Sequence, residues 1–162
     1  MPNVFQPEWE AELQSGDMIL RAVRVGAAAG ARALGPTLYE LEPGAAVSPL
    51  HVHHANEELL VVIAGRPTVR GAEGEREVGE GELVAFPAGP EGTHQVVNRG
   101  EAPARVLLIS TMVRPDVVEH PESGKVLTLI GEGDDGEAHA FRLQDEVAPW
   151  TGELDEPPRP VG

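Results

Sequence analysis

The chain has 162 residues, enough for one domain with a buried core and no disulfide. It carries 27 acidic against 12 basic residues, six His and no Cys, for a formal net charge of -15. That balance disfavours nucleic-acid and anionic-membrane partners, the missing Cys excludes thiol catalysis and Cys-based zinc sites, and no run of 18 apolar residues is present to span a bilayer.

In chain order, Met1–Asp17 reads as an N-terminal arm, with Phe5 and Trp9 as anchors on the body. Its glutamates at 8, 10 and 12 and the lack of a base before Arg21 match neither a signal nor a transit peptide, so a cytoplasmic protein is expected. Met18–Val25 alternates like a strand, and the Ala/Gly-rich stretch 26–35 reads as a long turn. Further strands are expected at Thr37–Glu42, Glu58–Ile63, Thr68–Arg70, Glu75–Val78, Glu82–Phe86 and Thr93–Val97, each stopped by Gly, Pro or Asn. Arg105–Met112 is the longest apolar run and the expected central strand. A loop from His120 to Gly124 precedes a strand at Lys125–Ile130, and Ala138–Leu143 is one more candidate. Asp155–Gly162, with three prolines, reads as a frayed tail. Short strands at this spacing predict an all-β sandwich or barrel at 18–130, with an acidic, Pro-rich C-terminal extension at 131–162.

His51-Val52-His53 places two imidazoles on one face of an extended strand, a good half-site for a divalent metal. An acid follows at Glu58, and a third imidazole, His94, lies on a different expected strand. A His-x-His pair with an acid at one fixed spacing arises by chance only about 0.03 times in such a chain. His51 to Glu58 is an odd step, so a straight strand would separate them, and a break at His54-Ala55-Asn56 is required. Glu57 satisfies the parity without a break and is the alternative carboxylate.

Two segments resemble the paired motifs of the cupin superfamily. Gly44 to Gly65 contains His51-x-His53, the acid Glu58 and a closing Gly. Gly81 to Asn98 contains Pro87-x-Gly89, then His94 and, after a further step, Asn98. The second segment has two extra residues between Gly89 and His94, and Gly44 lies one residue farther from His51 than is usual. The resemblance, closest to small single-domain bacterial cupins of uncharacterised activity, implies a double-stranded β-helix, the jelly-roll barrel. It also implies that His51, His53, Glu58 and His94 bind one metal. Three imidazoles and a carboxylate suit Mn, Fe, Co, Ni, Cu or Zn, and leave an octahedral ion two positions for water, dioxygen or a chelating substrate.

If Glu58 and His94 face inward, so do Leu60, Val62 and Val96. Tyr39 or Leu41, and Phe86 or Ala85, complete a mostly apolar substrate wall. No cationic cluster falls on these positions unless Arg66, Arg70, Arg105 or Lys125 turns inward, which weakens a phosphorylated sugar as substrate. His54 reads as solvated, His120 as an exposed loop residue, His139 as strand surface, and Asn98 as the start of a turn. The expected function is a metal-dependent enzyme, of dioxygenase or isomerase/decarboxylase type, acting on a small organic molecule. The alternative is a non-catalytic small-molecule or metal-binding module, since one scaffold hosts both. A homodimer is expected by the same resemblance, with the arm and the segment after Gly131 as the pairing material.

Overall fold

The computed structural model describes residues 1–15, 18–131, 136–149 and 151–153. The frayed-tail segment Asp155–Gly162 lies outside the described residues. The fold is almost entirely antiparallel β. The six-stranded sheet runs β1 (Ala11–Ser15), β2 (Met18–Arg24), β3 (Gly35–Leu41), β10 (Ala104–Ser110), β5 (Glu58–Ala64), β8 (Leu83–Phe86). The expected central strand, β10, does lie inside this sheet, hydrogen-bonded to β3 on one side and β5 on the other.

Two smaller sheets complete the barrel. One is β7 (Gly74–Glu77), β6 (Thr68–Gly71), β9 (His94–Val97). The other is β13 (Glu137–Arg142), β12 (Lys125–Ile130), β11 (Asp116–His120), β4 (Val52–His53). The chain around His51 stitches them together. His51 and His94 exchange both backbone hydrogen bonds, at 3.1 and 2.8 Å, and the next two residues pair with β11.

Alternation decides what fills the interior. In β5, Glu58, Leu60 and Val62 are buried while their neighbours are only half-buried, and β10 repeats the pattern with Ala104, Val106 and Leu108. Leu60, Val62, Val96, Val106, Leu41 and Phe86 form one core cluster with the inward side chains of β6 and β8. Each such Leu or Val contributes about 1.5–3 kcal/mol by leaving water. Gly65 ends β5 at φ +80°, where a Cβ would lie 2.9 Å from the Pro103 carbonyl oxygen, so the turn requires glycine.

Several expectations need correction. The stretch after β2 is not only a turn, since Val25–Ala29 forms one short helix, α1, ended by Gly30 in the left-handed region. The arm contributes a strand of its own, β1, in register with β2. Phe5 is no anchor, being 72% exposed, whereas Trp9 is half-buried under the Arg105 guanidinium, 5.6 Å from its ring. Arg105 also donates to the Val4 and Phe5 carbonyls, so the backbone of the arm is what the body holds. β10 stops at Ser110 because Met112 takes a positive φ of 56°. His120 is the last residue of an additional strand, β11, rather than the start of a loop. No helix among the described residues is long and apolar enough to cross a membrane.

Candidate metal centre

β4 carries His53, and His51 directly precedes it. The chain then bends through His54 and Ala55 before β5 begins at Glu58. That bend brings the odd-spaced carboxylate back to the same interior. Glu57 faces outward and is exposed, while Glu58 is buried. His94 opens β9, opposite His51 across the bridge.

The four side chains converge. Glu58 Oε2 lies 3.2 Å from His94 Nε2, 3.7 Å from His53 Nε2 and 3.9 Å from His51 Nε2. Donor atoms of His51, His53 and Glu58 all lie within 4.8 Å of one another, and His94 Nε2, outside that set, lies 3.2 Å from the shared Glu58 oxygen.

Each imidazole is held by its other nitrogen. His53 Nδ1 lies 2.6 Å from Asp116 Oδ2, His94 Nδ1 lies 2.8 Å from the Gly92 carbonyl, and His51 Nδ1 lies 3.0 Å from the Pro49 carbonyl and from Ser48 Oγ. Carbonyl and carboxylate oxygens only accept, so all three Nδ1 atoms carry the proton and all three Nε2 lone pairs point at Glu58. Phe86 stacks flat on His94, ring centroids 3.7 Å apart, and fixes its plane.

The His51, His53 and Glu58 donors fit one metal ion, with His94 beside them. Ligands at 2.0–2.2 Å from a common centre lie about 3.0–4.2 Å apart, depending on whether they are cis or trans. The three distances from Glu58 Oε2 fall in that range. Glu58 Oε2 and His94 Nε2 are also buried without any hydrogen-bond partner. An orphaned carboxylate oxygen facing three lone pairs is costly unless a cation sits among them.

The electrostatics agree. Burial pushes the His51 imidazole down to about 4, helped by His94 and His53, so it stays neutral. Burial alone would raise the Glu58 carboxyl, but once the rings are protonated a hydrogen bond from His94 and the positive charges of His53, His94 and His51 hold it below its ordinary value. Asp116 is likewise raised by burial and more than compensated by hydrogen bonds from His53, Asn56 Nδ2 and the Ala55 N–H, so it remains an anion.

A cavity of about 190 Å³ adjoins the cluster. Its lining includes His53, Glu58, Tyr39, Thr37, Ser110 and Arg114. Of the expected substrate wall, Tyr39 lines this cavity. Leu60, Val62, Phe86 and Val96 face inward but belong to the closed core. Arg66, Arg70 and Arg105 are paired with Glu77, Glu122 and Glu40 and do not line the cavity, nor does exposed Lys125.

Sequence reasoning missed three residues. Asp116, 1% exposed, is the anion behind His53. Arg114 lines the cavity. His120 is half-buried and stacks 6.0 Å from the His51 ring, with its Nδ1 lacking a partner. All three lie on or beside β11, of which the sequence reading covered only His120, as the start of a loop. The signal available was Asp116-Val-Val118, an alternation with an acid on the face of an apolar residue. Of the other histidines, His54 is exposed against Glu119, at 2.9 Å, and His139 is exposed beside Glu137. Asn98 is buried and closes the turn to Gly100, accepting its N–H at 3.0 Å.

Comparison with known proteins gives a consistent picture. Residues 37–110 match the family model of the Cupin domain. A sugar phosphate isomerase of the cupin superfamily from Silicibacter pomeroyi is 29% identical, with a TM-score of 0.71 over 78% of each chain. A candidate sugar phosphate isomerase from Acidithiobacillus ferrooxidans is 27% identical, with a TM-score of 0.70 over 80% of each chain. The polyketide cyclase of Streptomyces resistomycificus, 24% identical with a TM-score of 0.51, covers 59% of this chain and 67% of its own and shares the fold. No curated protein matches the sequence significantly.

Proposed function

We propose, from the Cupin-domain match over residues 37–110 and the likeness to cupin-superfamily structures, that the chain is a metal-dependent cupin enzyme of the isomerase or decarboxylase type acting on a small hydroxylated organic molecule. The observation that carries this reading is the convergence of three Nε2 lone pairs on the buried, unpartnered Glu58 oxygen beside a cavity. The isomerase side is favoured by the two similar structures above 25% identity, one a sugar phosphate isomerase and the other a candidate for that activity.

His51, His53 and His94 through Nε2, and Glu58 through Oε2, are the residues that would hold a divalent transition ion. Such an ion supplies Lewis acidity, polarising a substrate carbonyl or hydroxyl. The chain's own groups do the rest. Asp116 fixes the orientation and basicity of His53. Tyr39 lines the cavity with its phenol pushed above the ordinary value, chiefly by burial, with the Glu58 charge adding to it. Its hydroxyl therefore keeps its proton and can donate to a substrate oxygen. Leu108, Met112 and Leu129 narrow the cavity and limit water around the reacting carbons.

The test is incubation of metal-loaded protein in D2O with a panel of aldoses, ketoses, their phosphate esters, and hydroxy and keto acids. The expected result is deuterium at carbon or an isomerised or decarboxylated product, lost in Glu58→Gln. Turnover only under air would replace this reading with a dioxygenase. Binding without turnover of any compound would make the barrel a non-catalytic module.

A further inference from the structure

Arg114 stands at the cavity without the glutamate partner that several arginines of the barrel have. Arg21, Arg66, Arg70, Arg99 and Arg105 each lie within ion-pair distance of a glutamate. Arg114 has no ion pair or hydrogen bond among the described residues, in a chain with 27 acids and 12 bases. It is exposed, and it lines the same cavity as His53 and Glu58.

Its position is tightly set. The buried Asn56 amide grips the neighbouring backbone in both directions. Its Oδ1 accepts from the Val113 N–H at 2.5 Å and from Thr111 Oγ1 at 3.2 Å, and its Nδ2 donates to the Val113 carbonyl at 3.0 Å. Two residues past Arg114's own partner-free side chain, Asp116 is tied to His53, Asn56 and Ala55. The Arg114 backbone is thus held between two fixed points, and its side chain lines the cavity.

We propose that Arg114 is a specificity residue that binds the carboxylate of a three- or four-carbon hydroxy acid whose hydroxyl end lies beside His53 and Glu58. The planar guanidinium offers two parallel N–H groups that match a carboxylate. No second cation lines the cavity among the described residues, whereas a phosphate dianion favours several. Thr37, Tyr39 and Ser110 supply hydroxyls for the remaining oxygens. The assignment rests on the reading of the site as a substrate-binding metal centre.

The test is calorimetric titration of wild type, Arg114→Gln and Arg114→Lys with lactate, glycerate and 3-hydroxybutyrate, with glycerol and glycerol 3-phosphate as comparison ligands. Metal content and melting temperature are measured on every sample. The expected result is saturable binding of at least one acid to wild type, weakened about tenfold or more in Arg114→Gln and less in Arg114→Lys, at unchanged metal content. Glycerol should not bind measurably. The assignment is overturned if no acid binds metal-loaded wild type, if Arg114→Gln binds the acids equally well, or if glycerol 3-phosphate binds more tightly than glycerate. A wild type that takes up no metal sinks the proposed function instead. In that case acid binding that still depends on Arg114 upholds this assignment, and its absence overturns it.

Discussion

The three converging imidazoles are gripped at Nδ1 by two kinds of acceptor: a carboxylate for His53, and backbone carbonyls for His94 and His51. The carboxylate is the strongest of these, because a buried anion both orients the ring and raises its basicity. Asp116→Asn keeps the shape and removes the charge. Metal affinity of that variant, measured by competition with a chelator, should fall about 10- to 100-fold. An unchanged affinity would mean that Asp116 only braces the Ala55–Asn56 bend. At this scale the sequence was partly legible. The pair 51 and 53 stands out because alternation puts both on one face, and the Glu58-to-Gly65 spacing picks Glu58, the buried acid, over exposed Glu57. Asp116 was not legible because its role depends on a partner 63 residues earlier, His53, and Arg114 was not legible because only the fold brings it to the cavity that His53 and Glu58 line. Nothing local in Arg-Pro-Asp marks that partnership.

Among the elements, the connection between Gly89 and His94 shows how a local departure from a motif is absorbed. The two additional residues are taken up in a three-residue 3-10 turn, Pro90–Gly92, whose final carbonyl accepts the His94 Nδ1 proton. Gly89 is tied to the His53 carbonyl at 2.7 Å, so the turn is fixed at both ends to metal-site residues. A Cβ on Gly92 would fall 1.8 Å from the Pro87 carbonyl oxygen. Gly92→Ala must therefore displace the turn and with it the acceptor of His94. Its melting temperature and its metal content should both drop, whereas Gly74→Ala, at an open hairpin, should lower stability slightly and leave metal content intact. Equal metal content in the two variants would count against a positioning role for the turn. Most strands were readable because alternation and Gly/Pro punctuation coincide. β1 and β11 were not, since β1 is half polar and exposed and β11 follows a proline. Only pairing with β2 in one case, and with β12 and β4 in the other, makes them strands.

For the whole molecule, a closed apolar core and a polar interior cluster share one barrel, and the cluster makes stability depend on pH. The unfolded chain protonates His51 near its ordinary 6.5, while the folded chain resists protonation down to about 4. The folded state thus binds fewer protons between these values, and the stability contributed by this group is full above 6.5 and lost as pH falls toward 4. The magnitude is on the order of 3 kcal/mol at about 1.4 kcal/mol per pH unit. Below 4.5 the lowered carboxyls of Glu58 and Asp116 add to the loss, since their contributions vanish as they protonate. Chemical denaturation of metal-free protein should show stability falling across pH 6.5 to 4, and a flat profile there would contradict the buried, neutral His51. The barrel as a whole was legible from strand spacing and the two motifs. The separation of cavity from core was not, because inward orientation alone does not say whether a residue such as Val62 meets a ligand or another side chain.

The central claim is that the interior cluster holds a metal ion. Elemental analysis of the purified protein, alongside His51→Ala and Glu58→Gln variants that remain folded by circular dichroism, tests it most directly. The account predicts close to one transition-metal ion per chain in the wild type and a large loss in both variants. Wild-type protein that stays free of metal after incubation with each candidate ion, or variants that retain the full amount, would contradict it.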